Sequence, residues 1–341
     1  MFCNHELEVS VIIPVYNGGE NFRRCLSALA NTIPSPLEII VAADGDTDGS
    51  WLIAREFGTQ VVRTNTRSGP AVARNLGACF AQGEILFFVD ADVVVRPDAI
   101  SQVVSTFKRE PDLAALIGSY DDTPDATNFL SQYRNLLHHY VHQSGCEEAS
   151  TFWGACGAIR REVFLEVEGF DDSYRQASIE DIELGYRLKQ AGYKIRLNKA
   201  LQVKHLKRWE VGSLLKADFY YRALPWTELI WRDRLLINDL NLQVSNRLSI
   251  VLVFGLLIAV GAAFWWSGFL AVALGICMAL LFLNLPVYRF FWRKRGIRFA
   301  LQVIPWHWFY YFYSGLAFII GTARHQLRQW GWLKTSSSKF V

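Results

Sequence analysis

Short apolar runs alternate with segments of helical spacing over the first part of the chain. The apolar runs lie at 9–14, 37–42, 60–63 and 84–89. The helical segments lie at 21–31, 50–57 and 69–81. This alternation predicts an α/β fold, an open and mostly parallel sheet with helices on both faces. In such sheets ligands bind beyond the carboxyl ends of the strands, so we expect chemistry at the polar turns after these runs.

Two later stretches, 248–288 and 299–323, contain no Asp, Glu, Lys or Arg. An uncharged apolar run of about 18 residues or more is long enough to span a bilayer. A Ser-Gly pair divides the first stretch into 248–266 and 270–288, which we expect to form a transmembrane hairpin. The second stretch either crosses the membrane a third time or lies at its interface, where its dense Trp and Tyr residues are typical.

The segment that precedes these stretches, 206–247, is basic and rich in Trp and Tyr. This composition is typical of helices at a membrane surface, and a pair of domain-capping helices is the alternative. The loop at 289–298 carries five basic and no acidic residues, which predicts a cytoplasmic position. The predicted parts are an α/β domain at 1–205, interfacial helices at 206–247, a transmembrane region at 248–323 and a basic tail at 324–341.

The overall composition agrees with this division. The chain is 51% hydrophobic and 20% charged, and the apolar excess over a soluble domain lies in the charge-free stretches. A net charge of +3 is too small to indicate nucleic-acid binding. The N-terminus lacks the features of a secretory signal peptide, so we expect the α/β domain to face the cytoplasm. The six cysteines show no zinc-type spacing and are expected to be free thiols.

A pair of carboxylates, Asp90 and Asp92, follows the apolar run 84–89. On an extended chain, side chains two residues apart point to the same side. Two carboxylates that converge at a strand end form a hard-oxygen site for Mg²⁺ or Mn²⁺, usually shared with a phosphate-bearing substrate. The same pattern occurs in surface turns, but its position after a buried strand favours the metal site.

A second acidic pair, Glu180 and Asp181, precedes a helix predicted at 184–191. Acidic residues at a helix start can simply stabilise the helix dipole. Beside a metal-bound leaving group, one of them could instead act as the general base that deprotonates an acceptor hydroxyl.

Other positions carry weaker signals. Asp44 follows the second apolar run, where a carboxylate can bind a nucleobase or ribose; a plain turn is the alternative, and a calcium loop is excluded because its twelfth position is Arg55. Trp153 and Gly154 lie in a small-residue loop that a sugar ring can approach, although a tight core turn has the same composition. His205 follows a short strand and gains a role only if the metal site exists.

Together, several motifs resemble the family 2 glycosyltransferases of GT-A fold, in their membrane-anchored bacterial form. The motifs are VSVIIPVYNG at 9–18, DGDTDGS at 44–50, GPAVARNLG at 69–77, DAD at 90–92, GFDD at 169–172 and EDIELGYRLKQAGY at 180–193. The resemblance covers about residues 8–210 and implies a Rossmann-like GT-A domain. It also implies an inverting enzyme that transfers a sugar from a nucleotide-sugar with a divalent metal, Mg²⁺ or Mn²⁺.

The resemblance implies which residues bind the donor. Nucleotide-sugar binding would fall to Pro14, Tyr16, Asn17, Asp44, Arg74, Asn75 and Asp90. Of these, Asp44 would contact the base and Asp90 the ribose or the donor sugar. Asp92 and His205 would bind the metal together with the diphosphate.

The resemblance also implies where the chemistry and the acceptor lie. Asp181 would be the catalytic base, with Glu180 beside it. The acceptor or the donor sugar would lie against Trp153, Gly154, Arg208 and Trp209. One departure from the family is Ala43, which stands where a first acid is common. A second is Asp46, which stands where Ser is usual, so the identity of the base is weakly indicated.

The element that starts at His205 resembles the Q-x-x-R-W motif of processive polysaccharide synthases but begins with His, which favours a single sugar addition. The prediction is therefore a hexosyltransferase of the cytoplasmic membrane, active in cell-envelope glycan or glycolipid synthesis. Its donor would carry UDP rather than GDP, and its acceptor would be a lipid or lipid-linked hydroxyl.

Three alternatives remain open. One is a processive polysaccharide synthase. Another is a nucleotidyltransferase, which the absence of a G-x-G-x-x-x-[ST]-R loop after the first strand disfavours. The third is a membrane-anchored binding or scaffold protein, which the intact Asp92, Asp181 and His205 disfavour. The sequence indicates neither the sugar nor the oligomeric state.

Overall fold

The computed structural model describes residues 7–234 and 237–330. Within these ranges the chain divides into two compact units, one ending at Arg208 and the other beginning at Trp209. The division into four parts drawn from the sequence stays a prediction. The predicted basic tail at 324–341 is described only as far as residue 330, and residues 1–6 lie outside the described residues.

The first unit is built on one β-sheet. Its strands are β1 (Val9–Val15), β2 (Glu38–Asp44), β3 (Gln60–Thr64), β4 (Ile85–Val89), β5 (Val93–Val95), β6 (Leu113–Tyr120), β7 (Glu148–Ala149), β8 (Cys156–Arg160) and β9 (Lys194–His205). Its helices are α1 (Gly19–Ala30), α2 (Ser50–Glu56), α3 (Pro70–Phe80), α4 (Ala99–Arg109), α5 (Phe129–Ser144), α6 (Arg161–Glu166) and α7 (Glu180–Gln190). The predicted α/β class is confirmed.

The sheet is mixed rather than mostly parallel. Its order in the described residues is β3-β2-β1-β4-β8-β6-β9-β5, with β7 beside β9. The four strands β3, β2, β1 and β4 pair in parallel, as the alternating pattern predicts. Beyond them only β6 and β9 pair in parallel, and the other pairings are antiparallel.

Helices cover both faces of the sheet. Val11 of β1 belongs to a core that also contains Phe22 of α1 and Val103 of α4. Ile12 lies on the opposite face, where a Cβ atom at Gly77 of α3 would come within 2.6 Å of its Cγ2. Because both faces are buried, all five residues of β4 are buried, which explains its continuous apolar run.

The second unit is helical in its described residues. Its elements are α8 (Val211–Leu215), a π-helical segment (Lys216–Ala223), α9 (Leu224–Asp233), a short 3-10 helix (Leu240–Leu242), α10 (Val244–Ala262), α11 (Phe269–Leu283) and α12 (Leu285–Gln329). The backbone of α12 breaks at Gly296, whose φ is +82°.

A hydrogen-bonded cluster joins α10, α11 and α12. The Asn284 amide, just after α11, donates to Ser249 Oγ near the start of α10 at 3.0 Å. The Tyr311 hydroxyl of α12 lies 2.8 Å from Asn284 Oδ1 and 3.0 Å from Asn246 Oδ1. The contact between Asn284 and Ser249 shows that α11 returns antiparallel to α10, in the order of the predicted hairpin.

One helix in the described residues, α10, is long and apolar enough by itself to cross a membrane. The pair α11 and α12 meets the same criterion only together, across a bend of 61°. Length and composition are weak evidence, so the three predicted spans at 248–266, 270–288 and 299–323 stay predictions. The cysteines in the described ranges, Cys25, Cys79, Cys146, Cys156 and Cys277, are free thiols.

Candidate active site

The candidate residues gather at the carboxyl edge of the parallel strands. Tyr16 follows β1, Asp44 ends β2, and Asp90 follows β4, and these three strands are neighbours. Parallel strands present their carboxyl ends at the same edge, which is where α/β sheets bind ligands. Pro14 lies inside β1, in register with Ala42 of β2, and so belongs to the same edge.

Arg74 of α3 joins two of the predicted acidic groups. Its Nη2 donates to Asp90 Oδ1 at 2.8 Å, and its Nη1 donates to Glu180 Oε1 at 2.9 Å. The Arg74 side chain is only 5% exposed, and its guanidinium lies over the Phe170 ring. Despite burial, which favours the neutral form, the carboxylates hold the pKa of Arg74 above its ordinary value. The cation thus fixes β4, α3 and α7 relative to each other.

Asp181 has the environment of a general base. Its Oδ2 accepts the backbone N–H of Gly154 at 3.1 Å, and its Oδ1 accepts that of Ile182 at 2.8 Å. Burial and the adjacent charge of Glu180 raise the pKa of Asp181 to about 7. A carboxylate with a pKa near neutrality is well matched to proton abstraction at physiological pH.

Glu180, in contrast, has both of its oxygens engaged inside the protein. Oε1 accepts from Arg74, and Oε2 accepts the backbone N–H of Ser178 at 2.8 Å. The residue is 4% exposed. We therefore interpret Glu180 as a residue that raises the pKa of Asp181 and holds Arg74 in place, rather than as one that receives a substrate proton.

Asp92 and His205 form the second half of the site. His205 Nε2 lies 3.5 Å from Asp92 Oδ2, and His205 Nδ1 lies 2.8 Å from Asn135 Oδ1 on α5. Residues 91–92 form a turn, so the extended geometry expected for the acidic pair does not apply, and Asp90 and Asp92 contact different partners. Burial raises the pKa of Asp90. Burial acts in the same direction on Asp92, but the adjacent His205 ring and the charge of Lys207 hold its pKa below the ordinary value.

A stack of aromatic rings supports His205. The Tyr120 ring is stacked on His205 with centroids 4.4 Å apart, and Trp153 meets Tyr120 edge-on at 4.9 Å. His138 packs against both Tyr120 and Trp153. Burial lowers the pKa of His142, next to His138, to about 4, so its ring is neutral at pH 7. Trp153 therefore belongs to the wall that positions His205.

Asp44 holds the loop between β3 and α3. The backbone N–H groups of Ser68 and Gly69 donate to its two carboxylate oxygens at 2.7 and 2.8 Å. Asp44 is 4% exposed. The loop it anchors places the Arg67 guanidinium over the Tyr16 ring, 4.3 Å from the ring centroid. Asp44 thus shapes the edge at which the nucleotide base was predicted to bind.

Two residues that are predicted to bind the nucleotide form hydrogen bonds with the protein backbone. Asn17 has a φ of +51°, and its Oδ1 accepts the N–H of Thr47 at 2.8 Å. Asn75 donates to the Phe170 carbonyl at 2.8 Å and accepts the Phe170 N–H at 2.9 Å. Both amides fix loops of the site, and direct nucleotide contacts for them stay predictions.

Arg208 and Trp209 fall on either side of the division between the two units. Trp209 is 9% exposed. Their predicted place near the acceptor or the donor sugar stays a prediction.

Sequence reasoning missed three residues of this site. Asn135 and Tyr120 contact His205 from elements far away in the chain, and no motif marks them. Arg67 lies in a polar loop that was not singled out. The only available signal was the position of that loop directly before α3.

For a metal centre the described residues provide two candidate ligands but no complete ligand set. Among the described residues no group of three or more His, Cys, Asp or Glu side chains could hold a metal ion. Asp92 and His205 nevertheless fit as two ligands of one cation. Because the Asn135 oxygen accepts from Nδ1, the neutral ring has its lone pair on Nε2. That lone pair and the Asp92 carboxylate lie 3.5 Å apart, close to the ~3 Å between adjacent ligands at Mg²⁺-type bond lengths.

Parts of the chain are similar in sequence to glycosyltransferases. Residues 10–167 match the model for glycosyl transferase family 2, and residues 137–210 match the model for the N-terminal domain of galactosyltransferase. The uncharacterized glycosyltransferase YibD of Escherichia coli is 38% identical over 114 residues, which cover 32% of this chain and 33% of that protein. The chain covers only 33% to 46% of the length of relatives that it matches at 32% to 39% identity.

Two longer matches extend the comparison. The glucosyl-dolichyl phosphate glucuronosyltransferase of Haloferax volcanii is 25% identical over 222 residues, 58% of this chain and 69% of that protein. The structure of mannosyltransferase PcManGT from Pyrobaculum calidifontis, in complex with GDP-Man and Mn²⁺, covers 96% of this chain and 89% of its own. Its TM-score is 0.52 at 17% identity, so it shows likeness of fold alone.

Proposed function

We propose that this chain, which has the GT-A fold, is a member of glycosyl transferase family 2 and transfers a sugar from a nucleoside-diphosphate sugar to a hydroxyl acceptor with inversion. The single observation that carries the mechanism is the environment of the Asp181 carboxylate. Its pKa is raised to about 7, and it is held by the Gly154 N–H, while neighbouring Glu180 is engaged by Arg74.

The proposed reaction is one displacement. The acceptor oxygen forms a bond to the anomeric carbon as its proton passes to the Asp181 carboxylate. The bond from that carbon to the diphosphate oxygen breaks, and its electron pair leaves with the nucleoside diphosphate. Attack from the face opposite to the leaving group inverts the configuration.

We propose that Asp92 and His205 hold a Mg²⁺ or Mn²⁺ ion, and that the diphosphate and water complete its coordination. The bound ion would neutralise the departing diphosphate. Asn135 fixes the His205 tautomer, and Tyr120 fixes the ring plane. The similar fold of PcManGT, solved with Mn²⁺, supports this assignment.

For the donor, the tyrosine at position 16 offers an aromatic ring at the edge where a base would lie, and Arg67 covers it. We keep UDP as the proposed nucleotide. Since the PcManGT structure contains GDP-Man, the donor screen must include GDP-sugars beside UDP-sugars.

For the acceptor, we propose a lipid or lipid-linked hydroxyl at the cytoplasmic face of a membrane, in cell-envelope glycan or glycolipid synthesis. Support comes from α10, which is long and apolar enough to be a membrane span. The Haloferax relative is named for action on a dolichyl phosphate sugar.

The test uses the purified full-length protein with a panel of UDP- and GDP-sugars and Mn²⁺. We expect release of nucleoside diphosphate from one donor, and Asp181→Asn should lower turnover about 10²- to 10⁴-fold while donor binding is retained. Asp98→Asn, a change at an exposed carboxylate just before α4, is the matched control and should retain full activity. Release of pyrophosphate, or wild-type turnover in Asp181→Asn, would contradict the proposal.

A further inference from the structure

A large cavity lies within the second unit. Its volume is about 710 Å³, within the range of sites that hold small organic ligands. The described residues that line it belong to 218–230, 242–258 and 310–319, so the π-helical segment, α9, α10 and α12 all contribute.

The lining is apolar along most of α10. Ile250, Phe254 and Ile258 follow each other at four-residue spacing and so form one stripe on that helix. Phe318 and Ile319 of α12 add to the same apolar wall. At ~1.5 Å per residue, the α10 lining from residue 246 to residue 258 extends over roughly 18 Å. A wall of this length suits an extended hydrocarbon chain better than a compact polar molecule.

At the first turn of α10 the cavity lining is polar rather than apolar. Asn246 and Arg247 line it there, next to the apolar stripe. Arg247 Nη2 donates to Asn238 Oδ1 at 3.0 Å, whereas its Nε is buried and has no hydrogen-bond partner within the described part of the chain. Arg247 forms no ion pair with a carboxylate among the described residues, so its positive charge can be balanced by an external anion at this end of the cavity.

The charge of the lining also favours an anion. Arg222 and Asp218 of the π-helical segment line the cavity, with Arg222 Nη1 3.6 Å from Asp218 Oδ1. The Tyr313 hydroxyl donates to the other Asp218 oxygen at 2.9 Å. Asp218 therefore has partners inside the protein, and with Arg247 the lining carries two guanidinium groups against one carboxylate. Guanidinium groups bind phosphate with strong, charge-assisted hydrogen bonds.

We propose that this cavity binds one hydrocarbon chain of a phosphate-bearing lipid, with the phosphate at Arg247 and the chain along the apolar stripe of α10. The positively charged end would bind the phosphate, and the apolar wall would pack against the hydrocarbon chain. The identification of this lipid as the sugar acceptor rests on the proposed function. Lipid binding itself does not.

The experiment titrates the full-length protein in detergent micelles and counts bound ligand by native mass spectrometry. The probes are geranylgeranyl phosphate, the neutral alcohol geranylgeraniol, and inorganic phosphate. We expect one geranylgeranyl phosphate per chain and affinities at least about tenfold weaker for the alcohol and for phosphate alone. Equal binding of the phosphate lipid and the alcohol would overturn the proposal, since it would show adventitious apolar binding only.

Two substitutions locate the site. Arg247→Gln removes the positive charge, and Phe254→Ala removes a half-buried ring from the apolar wall; each should weaken binding of the phosphate lipid about tenfold or more. The matched controls are Arg293→Gln and Leu257→Ala, an exposed arginine and an exposed α10 residue that do not line the cavity. Unchanged affinity in both site variants, or equal loss in the controls, would overturn the proposal.

A parallel assay separates this inference from the proposed function. Donor hydrolysis without lipid is measured on the same preparations. Hydrolysis with no binding of the phosphate lipid would refute the cavity and leave the proposed enzyme intact. Specific lipid binding without turnover of any donor would support the cavity and refute the proposed function.

Discussion

The acid–base behaviour of Asp181 offers the sharpest test of the candidate site. Burial and the charge of Glu180 raise the pKa of Asp181 to about 7. A general base works only when it is deprotonated, so kcat/KM should fall as the pH drops through that pKa. For a group with this pKa the deprotonated fraction falls about tenfold between pH 8 and pH 6, and kcat/KM should fall with it.

The substitution Glu180→Gln should shift the acid limb, the part of the pH profile where kcat/KM falls, to lower pH. It removes a like charge next to Asp181. It also breaks the ion pair from Arg74 Nη1 to Glu180 Oε1, so more of the positive potential of Arg74 acts on Asp181. Both changes favour the charged carboxylate, so the pKa of Asp181 should fall. We expect the acid limb to move down by about one pH unit.

The assay measures initial rates of nucleoside diphosphate release at subsaturating substrate between pH 5 and pH 9, at constant ionic strength. The wild type is compared with Glu180→Gln and with Glu56→Gln, a control at an exposed carboxylate paired with Arg23. The control should keep the wild-type profile. An acid limb in Glu180→Gln that stays in place or moves up would refute the assignment of Asp181 as the base.

Three further substitutions test the framework of the site. Arg74→Leu leaves a buried carboxylate unpaired and should lower the free energy of unfolding by about 3–5 kcal/mol, measured by urea denaturation. Asn135→Leu removes the hydrogen-bond acceptor at His205 Nδ1 and should weaken Mn²⁺ affinity about 10- to 100-fold, measured by metal titration. In Gly185→Ala the new Cβ overlaps the Phe152 backbone and should cost about 1–3 kcal/mol of stability, measured by thermal unfolding.

Each of these substitutions has a matched comparison. Arg96→Leu removes an exposed ion pair and should change stability by less than about 1 kcal/mol. Asn135→Asp retains an acceptor at His205 and should preserve Mn²⁺ binding. Gly212→Ala adds a methyl group to a helix position with no atom within 4 Å and should be tolerated. If a site variant behaves like its comparison, the corresponding contact does not have the role assigned to it.

The sequence predicted the α/β core because each signal there was local. The run that became β4 was fully apolar, and its two faces are both buried. α7 begins at Glu180, four residues before its predicted start at 184, because the acidic pair forms its first turn. The antiparallel part of the sheet was missed because strand direction there depends on pairing between distant segments, such as β5 with β9. Hydrophobic periodicity carries no information on such pairing.

The sequence is equally uninformative about which side chains of the candidate site contact each other. Residue types at the strand ends were predicted, but their partners were not. Arg74 and Glu180 are 106 positions apart, and His205 and Asn135 are 70 positions apart. Asp44 and Asn75 have backbone partners that no motif indicates, and their predicted nucleotide contacts stay predictions. Their oxygens accept backbone N–H groups, and a motif cannot show whether a polar side chain faces a ligand or a loop.

The segment at 299–323 shows why apolar composition leaves membrane depth open. In the second half of α12, Thr322 accepts a hydrogen bond from Trp231 Nε1 at 2.9 Å. One and a half turns further on, Arg328 lies 3.1 Å from Glu228. Both partners belong to α9, a short helix with charged side chains that is too polar to span a bilayer. These contacts place polar groups beside an uncharged run, so composition alone does not decide between a third crossing and an interfacial position for this half of α12.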